Sequence, residues 1–338
     1  MGVATLERPA VKSLTSLVFA LMFMIGSAQA QDAAKTTKPT LILVVGANGA
    51  PQYEPMFAEW ADRWLAAANQ AGFHCVVVGR DKEVPDQTDK QRLLAIVDEA
   101  ASDKGVELWL VMIGHGTYDR REARFNLRGP DLSAVELASW LKPVDRPMAI
   151  INCASASAPF VPLLSGPKRV VIAATKSGAE QNFARFGDYM SQAIGDASAD
   201  LDKDEQTSLW EAFLRASRRT AEFYTTDGRL QTEHALLDDS GDGLGVRADQ
   251  FRGLTPIEQT TDGKPLDGQS AHQWHLIRNA TDAALPSDVL KKRDALEVAI
   301  LQLRSKKKSM DRTAYFQELE RLLVELAELN AVGTADQR

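Results

Sequence analysis

The feature that most constrains this chain is a series of short apolar runs separated by stretches of helical periodicity. The runs are Thr40–Val45, Phe73–Val78, Glu107–Ile113, Pro147–Asn152 and Arg169–Ala174. Short runs with little polar alternation read as strands buried on both faces. After the first, Phe57, Trp60, Ala61, Trp64, Leu65 and Ala68 fall on one face of an amphipathic helix. Leu93, Leu94, Ile96, Val97 and Ala100 do the same in a helix over 89–101. Ser133 and Glu136 stand at capping-box spacing before Leu137, Trp140 and Leu141, and Pro143 ends that helix. Further helices are predicted over 183–194 and 207–223. This alternation predicts an α/β fold, a three-layer α/β/α sandwich around a mostly parallel sheet. Ligands of such sheets bind outside the carboxyl ends of the strands.

The 338 residues, 44% hydrophobic and 25% charged, suffice for one sizeable core and a smaller appendage. Residues 1–30 read as an export signal: Arg8 and Lys12, an apolar stretch from Leu14 to Ile25, then Ala28-Gln29-Ala30 for cleavage. The expected location is the periplasm or outside the cell. Residues 31–39 read as a disordered leader, 40–245 as the main domain and 246–285 as an irregular linker. Residues 286–332 read as an α-helical hairpin, docked on the core or offered to a partner or a second copy. No later segment is long and apolar enough to span a membrane after signal cleavage. The net charge of −7 gives no basic footprint for nucleic acid.

Three chemically able residues, Asn48, His115 and Cys153, each follow the carboxyl end of a predicted strand. A thiol nucleophile needs a base to form thiolate and later to protonate a leaving amine, and histidine does both near neutral pH. A lone cysteine at a strand end is more often a small buried hydrophobe. The pairing with a histidine flanked by Gly114 and Gly116 favours catalysis, with the Gly116 and Cys153 N–H groups as oxyanion donors.

These motifs resemble those of clan CD cysteine peptidases, which have a caspase-like fold. The resemblance rests on Leu110–Gly114 leading into His115-Gly116, and on Met148–Asn152 ending in Cys153. The pattern is most similar to that of the legumain family, whose Gly-Ser-Asn-Gly segment has a counterpart in Gly46-Ala47-Asn48-Gly49. The resemblance covers roughly residues 40–225. It implies an endopeptidase acting on protein or peptide substrates through a Cys153 thioester. His115 would be the proton carrier, Asn48 would orient it, and no cofactor would be required. It also implies that Thr175 lies at the wall of the substrate cleft. A transpeptidase of the same fold, or a non-catalytic exported scaffold, are the other readings. Where the legumain family has a basic residue after its first strand, this chain has Tyr53-Glu54-Pro55. Glu54 and Glu180 are then the substrate-binding acids, and a basic residue before the scissile bond becomes the expectation. The sheet order of this fold puts two strands between Cys75 and the Cys153 strand, so no disulfide is expected.

Asp200, Asp202, Asp204, Ser208 and Glu211 have the spacing of an EF-hand calcium loop, with Glu205 where the turn favours glycine. The same residues also suit a helix N-terminus with solvated acids. Residues 238–243 read as an acidic turn, and His272 and His275 as structural histidines.

Overall fold

Six strands form the central sheet, and their order follows from where the apolar runs fall. The computed structural model describes residues 1–2, 38–81, 86–102, 106–257, 267–307 and 309–335. The expected export signal lies almost wholly outside the described residues, as does most of the leader. In chain order the first elements are β1 (Thr40–Val45), α1 (Tyr53–Gln70), β2 (His74–Val78), α2 (Asp89–Ser102) and β3 (Leu108–Ile113). Then come β4 (Gly116–Tyr118), β5 (Ala123–Phe125), β6 (Leu132–Ser133), α3 (Ala134–Leu141) and β7 (Met148–Asn152). They are followed by α4 (Val161–Leu164), β8 (Arg169–Ala173), α5 (Phe186–Ala193), α6 (Leu209–Thr226) and β9 (Leu236–Asp238). The sheet runs β2-β1-β3-β7-β8-β9, with every pairing parallel except that of β8 with β9. This is the expected three-layer, mostly parallel α/β architecture.

The period-two alternation of side chains divides the core between the two faces. Leu41, Leu43, Trp109, Val111, Ile113, Ala149, Ile151 and Cys153 pack with α1, α5 and α6. Ile42, Val44, Leu110, Met112, Met148 and Ile150 pack with α2, α3 and α4. Phe57, Trp60 and Trp64 of α1 are fully enclosed. Burying side chains of this size contributes roughly 2–3 kcal/mol each. The predicted Ser133–Glu136 capping box is present, and Ser208 and Glu211 form another at the start of α6.

Three departures from the sequence reading have local causes. The polar stretch after His115 folds into the small antiparallel sheet β4-β5-β6, too short and polar to carry a strand signature. The sheet closes on the antiparallel β9, a three-residue strand below the length at which periodicity is readable. The described part of the presumed linker holds a two-stranded ribbon, β10 (Phe251–Arg252) with β11 (Thr255–Pro256). A short α7 (Ala280–Ala284) precedes the helical hairpin, α8 (Ser287–Ser305) and α9 (Arg312–Ala335). The described residues from Lys38 onward form one compact unit that includes the hairpin. The hairpin has its own small core of Leu296, Ile300, Leu303, Tyr315 and Leu322. It is tied to the main domain by charge: Arg293 binds Asp282 through both guanidinium arms, and Gln206 also donates to Asp282. No described helix is long and apolar enough to cross a membrane.

Candidate functional site

Parallel pairing of β3 with β7 aligns Met112 with Asn152. His115 and Cys153 therefore emerge at the carboxyl ends of adjacent strands. Both side chains face the layer formed by α1 and α5. Cys153 shares a core with Trp60 and Phe186, and the His115 ring packs against Tyr53, Phe57 and Phe183 at centroid distances of 4.7, 5.2 and 5.9 Å. Asn48, at the end of β1, meets the histidine through its backbone: His115 Nε2 lies 3.1 Å from the Asn48 carbonyl oxygen. A carbonyl can only accept, so Nε2 carries the hydrogen and Nδ1 holds the lone pair in the neutral ring. The expected orienting role thus falls to a main-chain atom, which no side-chain motif encodes. Burial holds the His115 pKa below its ordinary value, partly offset by this hydrogen bond.

Cys153 is sealed. Its exposure is 0%, and burial pushes the thiol pKa up to about 12. The seal depends on Gly187 at the start of α5: a Cβ there would lie 2.7 Å from Cys153 Cβ and 2.8 Å from the Trp60 ring. Only a residue without a side chain lets α5 close so tightly over the sulfur. Among the described residues the Cys153 thiol makes no hydrogen bond to His115. The two expected oxyanion donors are also engaged, which corrects that expectation for this conformation. The Cys153 N–H donates to the Met112 carbonyl at 2.9 Å, continuing the β3–β7 ladder, and the Gly116 N–H donates to Ser155 Oγ at 3.3 Å. Ser155 returns its own hydrogen to the Gly116 carbonyl at 3.1 Å. Cys75, on β2, is half-buried and free, with β1 and β3 between it and β7, as the absence of a disulfide required.

The expected substrate-binding residues do not converge on an open cleft. Thr175 is fully buried, and its hydroxyl contacts Ser157 Oγ at 3.3 Å and accepts from the Ala158 N–H at 3.1 Å. It therefore fixes the turn after Cys153 and does not wall a cleft. Glu54 is exposed on the first turn of α1. Glu180 is committed to its own loop: Oε1 meets His234 Nδ1 at 2.6 Å, and Oε2 accepts from the Lys176 and His234 N–H groups. Neither oxygen is left over for a basic substrate side chain.

The segment that carries Phe183 is clamped at both ends by two neighbouring residues. His234 holds Glu180, while buried Glu233 accepts hydrogen bonds from the Arg185 and Phe186 N–H groups. Neither clamp nor the aromatic ring set was legible in the sequence. Tyr53 and Phe183 fall beside the helical periodicities and look like ordinary surface or core residues.

The acidic loop uses its carboxylates in two ways. Carboxylate oxygens of Asp200, Asp202 and Asp204 lie within 4.8 Å of one another. Glu211, expected as the bidentate closing ligand, spends both oxygens elsewhere: on the Leu201 and Asp202 N–H groups, and on the Ser208 N–H and hydroxyl. As placed, these residues do not make an EF-hand cage. Asp202 binds His272, and burial pushes Asp204 up to about 6. Asp238 caps the turn at Gly241 and Gly243, as the sequence suggested for 238–243.

Comparison with family models gives no match, and comparison with curated proteins gives none either. Among solved structures, the chain is similar to the Drosophila initiator caspase Dronc at 12% identity and a TM-score of 0.41, covering 73% of this chain and 96% of that one. It is also similar to caspase-1 from Spodoptera frugiperda at 9% identity and a TM-score of 0.39, covering 60% of this chain and 86% of that one. Likenesses this loose carry no argument about the site, which stands on its own geometry.

Proposed function

We propose that this chain is a cysteine endopeptidase of the caspase and legumain type, here in a latent state. One observation carries the reading: adjacent strand ends present a thiol and an imidazole to the same layer, and the Asn48 carbonyl leaves Nδ1 as the basic nitrogen. In the open state, Nδ1 takes the Cys153 proton and the thiolate attacks a peptide carbonyl. The protonated ring then gives that proton to the departing amine. Water, deprotonated by the same nitrogen, hydrolyses the thioester and restores the thiol. Opening requires the 181–187 segment to move, which frees Cys153, and Ser155 to release the Gly116 N–H. The substrates are proteins or peptides, met outside the cytoplasm after removal of the N-terminal segment. An amine in place of water would make the same thioester a transpeptidation intermediate.

A second reading, a non-catalytic exported scaffold, is favoured by the sealed thiol itself, since a group with a pKa near 12 is no nucleophile at neutral pH. An acyloxymethyl-ketone probe separates the two. The intact chain should react at Cys75 first. After limited proteolysis within 176–187, Cys153 should become the preferred site and peptide hydrolysis should appear. If Cys153 stays inert and no hydrolysis accompanies a cut in that segment, the scaffold reading stands.

A further inference from the structure

The helical hairpin offers more apolar surface than its own two helices bury. In α9, Tyr315 and Leu322 pack against Leu296, Ile300 and Leu303 of α8. The residue after each is also large and apolar, yet Phe316 is 48% exposed and Leu323 46%. One step along a helix is a rotation of about 100°, so this second pair points at right angles to the first. Leu319 and Leu326, half-buried, lie between the two directions. Phe316, Leu319, Leu323 and Leu326 thus make a stripe with steps of three, four and three residues, the pattern of a helix packed side by side with another. A helix apolar in two directions a quarter-turn apart suits a bundle of more than two helices, and the hairpin itself supplies two.

Charge indicates what fits there. At the turn between the helices, Arg304, Lys306, Lys307 and Arg312 are exposed and, among the described residues, have no ion pair. The far half of α9 is acidic. Arg321 there already binds Glu318 and Glu325, whereas Glu320 and Glu328 are exposed and unpaired among the described residues. A stripe that is basic at one end and acidic at the other complements itself when turned end for end. An anionic lipid surface would attract one end and repel the other.

We propose that this stripe of α9 docks on the same stripe of a second copy of the chain, antiparallel, about a two-fold axis. Centred between Leu319 and Leu323, the match sets Phe316 of one copy against Leu326 of the other and Leu319 against Leu323. The basic turn of each copy then lies past Glu328 of the other. The two Glu320 side chains meet near the axis, a like-charge contact that works against the dimer. The 24 residues of α9 span about 36 Å, so a contact along this one helix falls below the size of standard interfaces and the dimer is weak and reversible. This assignment is independent of the peptidase reading.

Sedimentation velocity on the full chain should show a monomer–dimer equilibrium with a midpoint of roughly 10 µM. Phe316→Lys and Leu323→Lys, both at exposed positions, should each weaken it by at least about tenfold without lowering the melting temperature. Val324→Lys is the control. Val324 is apolar and 51% exposed, but lies about a quarter-turn off the stripe, so its replacement should leave the equilibrium unchanged. Lys306→Glu with Lys307→Glu should weaken the dimer about threefold, as should added salt in the unmutated chain, and Glu320→Gln should tighten it about twofold. A chain monomeric up to about 200 µM overturns the proposal, as does association that Leu323→Lys leaves intact. Equal weakening by Val324→Lys overturns it too, because the change would then be general to the helix. Stripe residues that instead mediate binding to vesicles of anionic phospholipid make the surface a membrane contact and overturn it. No tightening by Glu320→Gln overturns the antiparallel alignment.

Discussion

Two buried regions solve opposite problems. Around Cys153 and His115 the wall is aromatic, and dry at the sulfur: Tyr53, Phe57, Trp60 and Phe183 surround a sealed thiol and a half-buried imidazole. Where the hairpin meets the core, the seam is charged: Arg293 and Gln206 bind buried Asp282, and His272 binds the more exposed Asp202. In the dry region, burial drives a thiol away from its charged form. In the seam, mutual pairing keeps ions charged. A neutral thiol and a fixed appendage thus come from the same low-dielectric interior, depending on whether a partner is present.

The largest expected effect breaks the seam. Asp282→Ala leaves the Arg293 guanidinium buried without its main partner and should cost about 3–5 kcal/mol in urea unfolding. The double variant with Arg293→Met should recover much of that loss. A loss below about 1 kcal/mol would show that the seam is solvated after all. On the dry side, Gly187→Ala inserts a methyl where two atoms already stand within 3 Å. It should cost about 1–3 kcal/mol and raise the alkylation rate of Cys153, since α5 can no longer seat. Phe183→Ala should speed Cys153 alkylation about tenfold and leave Cys75 unchanged, read by peptide mass mapping. An equal change at both thiols would mean general loosening.

The most gradual effect concerns acid. Burial beside Arg278, His272 and Arg293, only partly offset by Asp282, lowers the His275 pKa to about 3. The folded protein therefore keeps this ring neutral, while the unfolded chain protonates it below its ordinary value near 6.5. Its contribution to stability is complete above that value and is lost as pH falls toward 3. His275→Leu should flatten the acid limb of stability by about 1 kcal/mol per pH unit over that window. An unchanged slope would assign the acid limb to other groups.

The sheet was readable because its strands are buried on both faces and nearly all apolar, so each announces itself without a partner. The candidate pair was readable for a related reason: strand ends are fixed by those same runs, and His115 and Cys153 stand next to them. What escaped depends on contacts between distant segments. The Glu233 and His234 clamps hold a loop some 50 residues away, and their purpose exists only once β9 has joined the sheet. Glu211 shows how one spacing can serve two ends. Its spacing matched a metal loop, but the same spacing serves an N-terminal helix cap, and the backbone amides took both oxygens. Spacing alone cannot decide between two uses of one carboxylate.

The Asn48 carbonyl has a kinetic consequence. It accepts from Nε2 whether the ring is neutral or cationic, so under the proposed function the imidazole would not need to turn over between half-reactions. On that reading Nδ1 alone would load and unload the mobile hydrogen, with the ring anchored to main chain through Nε2.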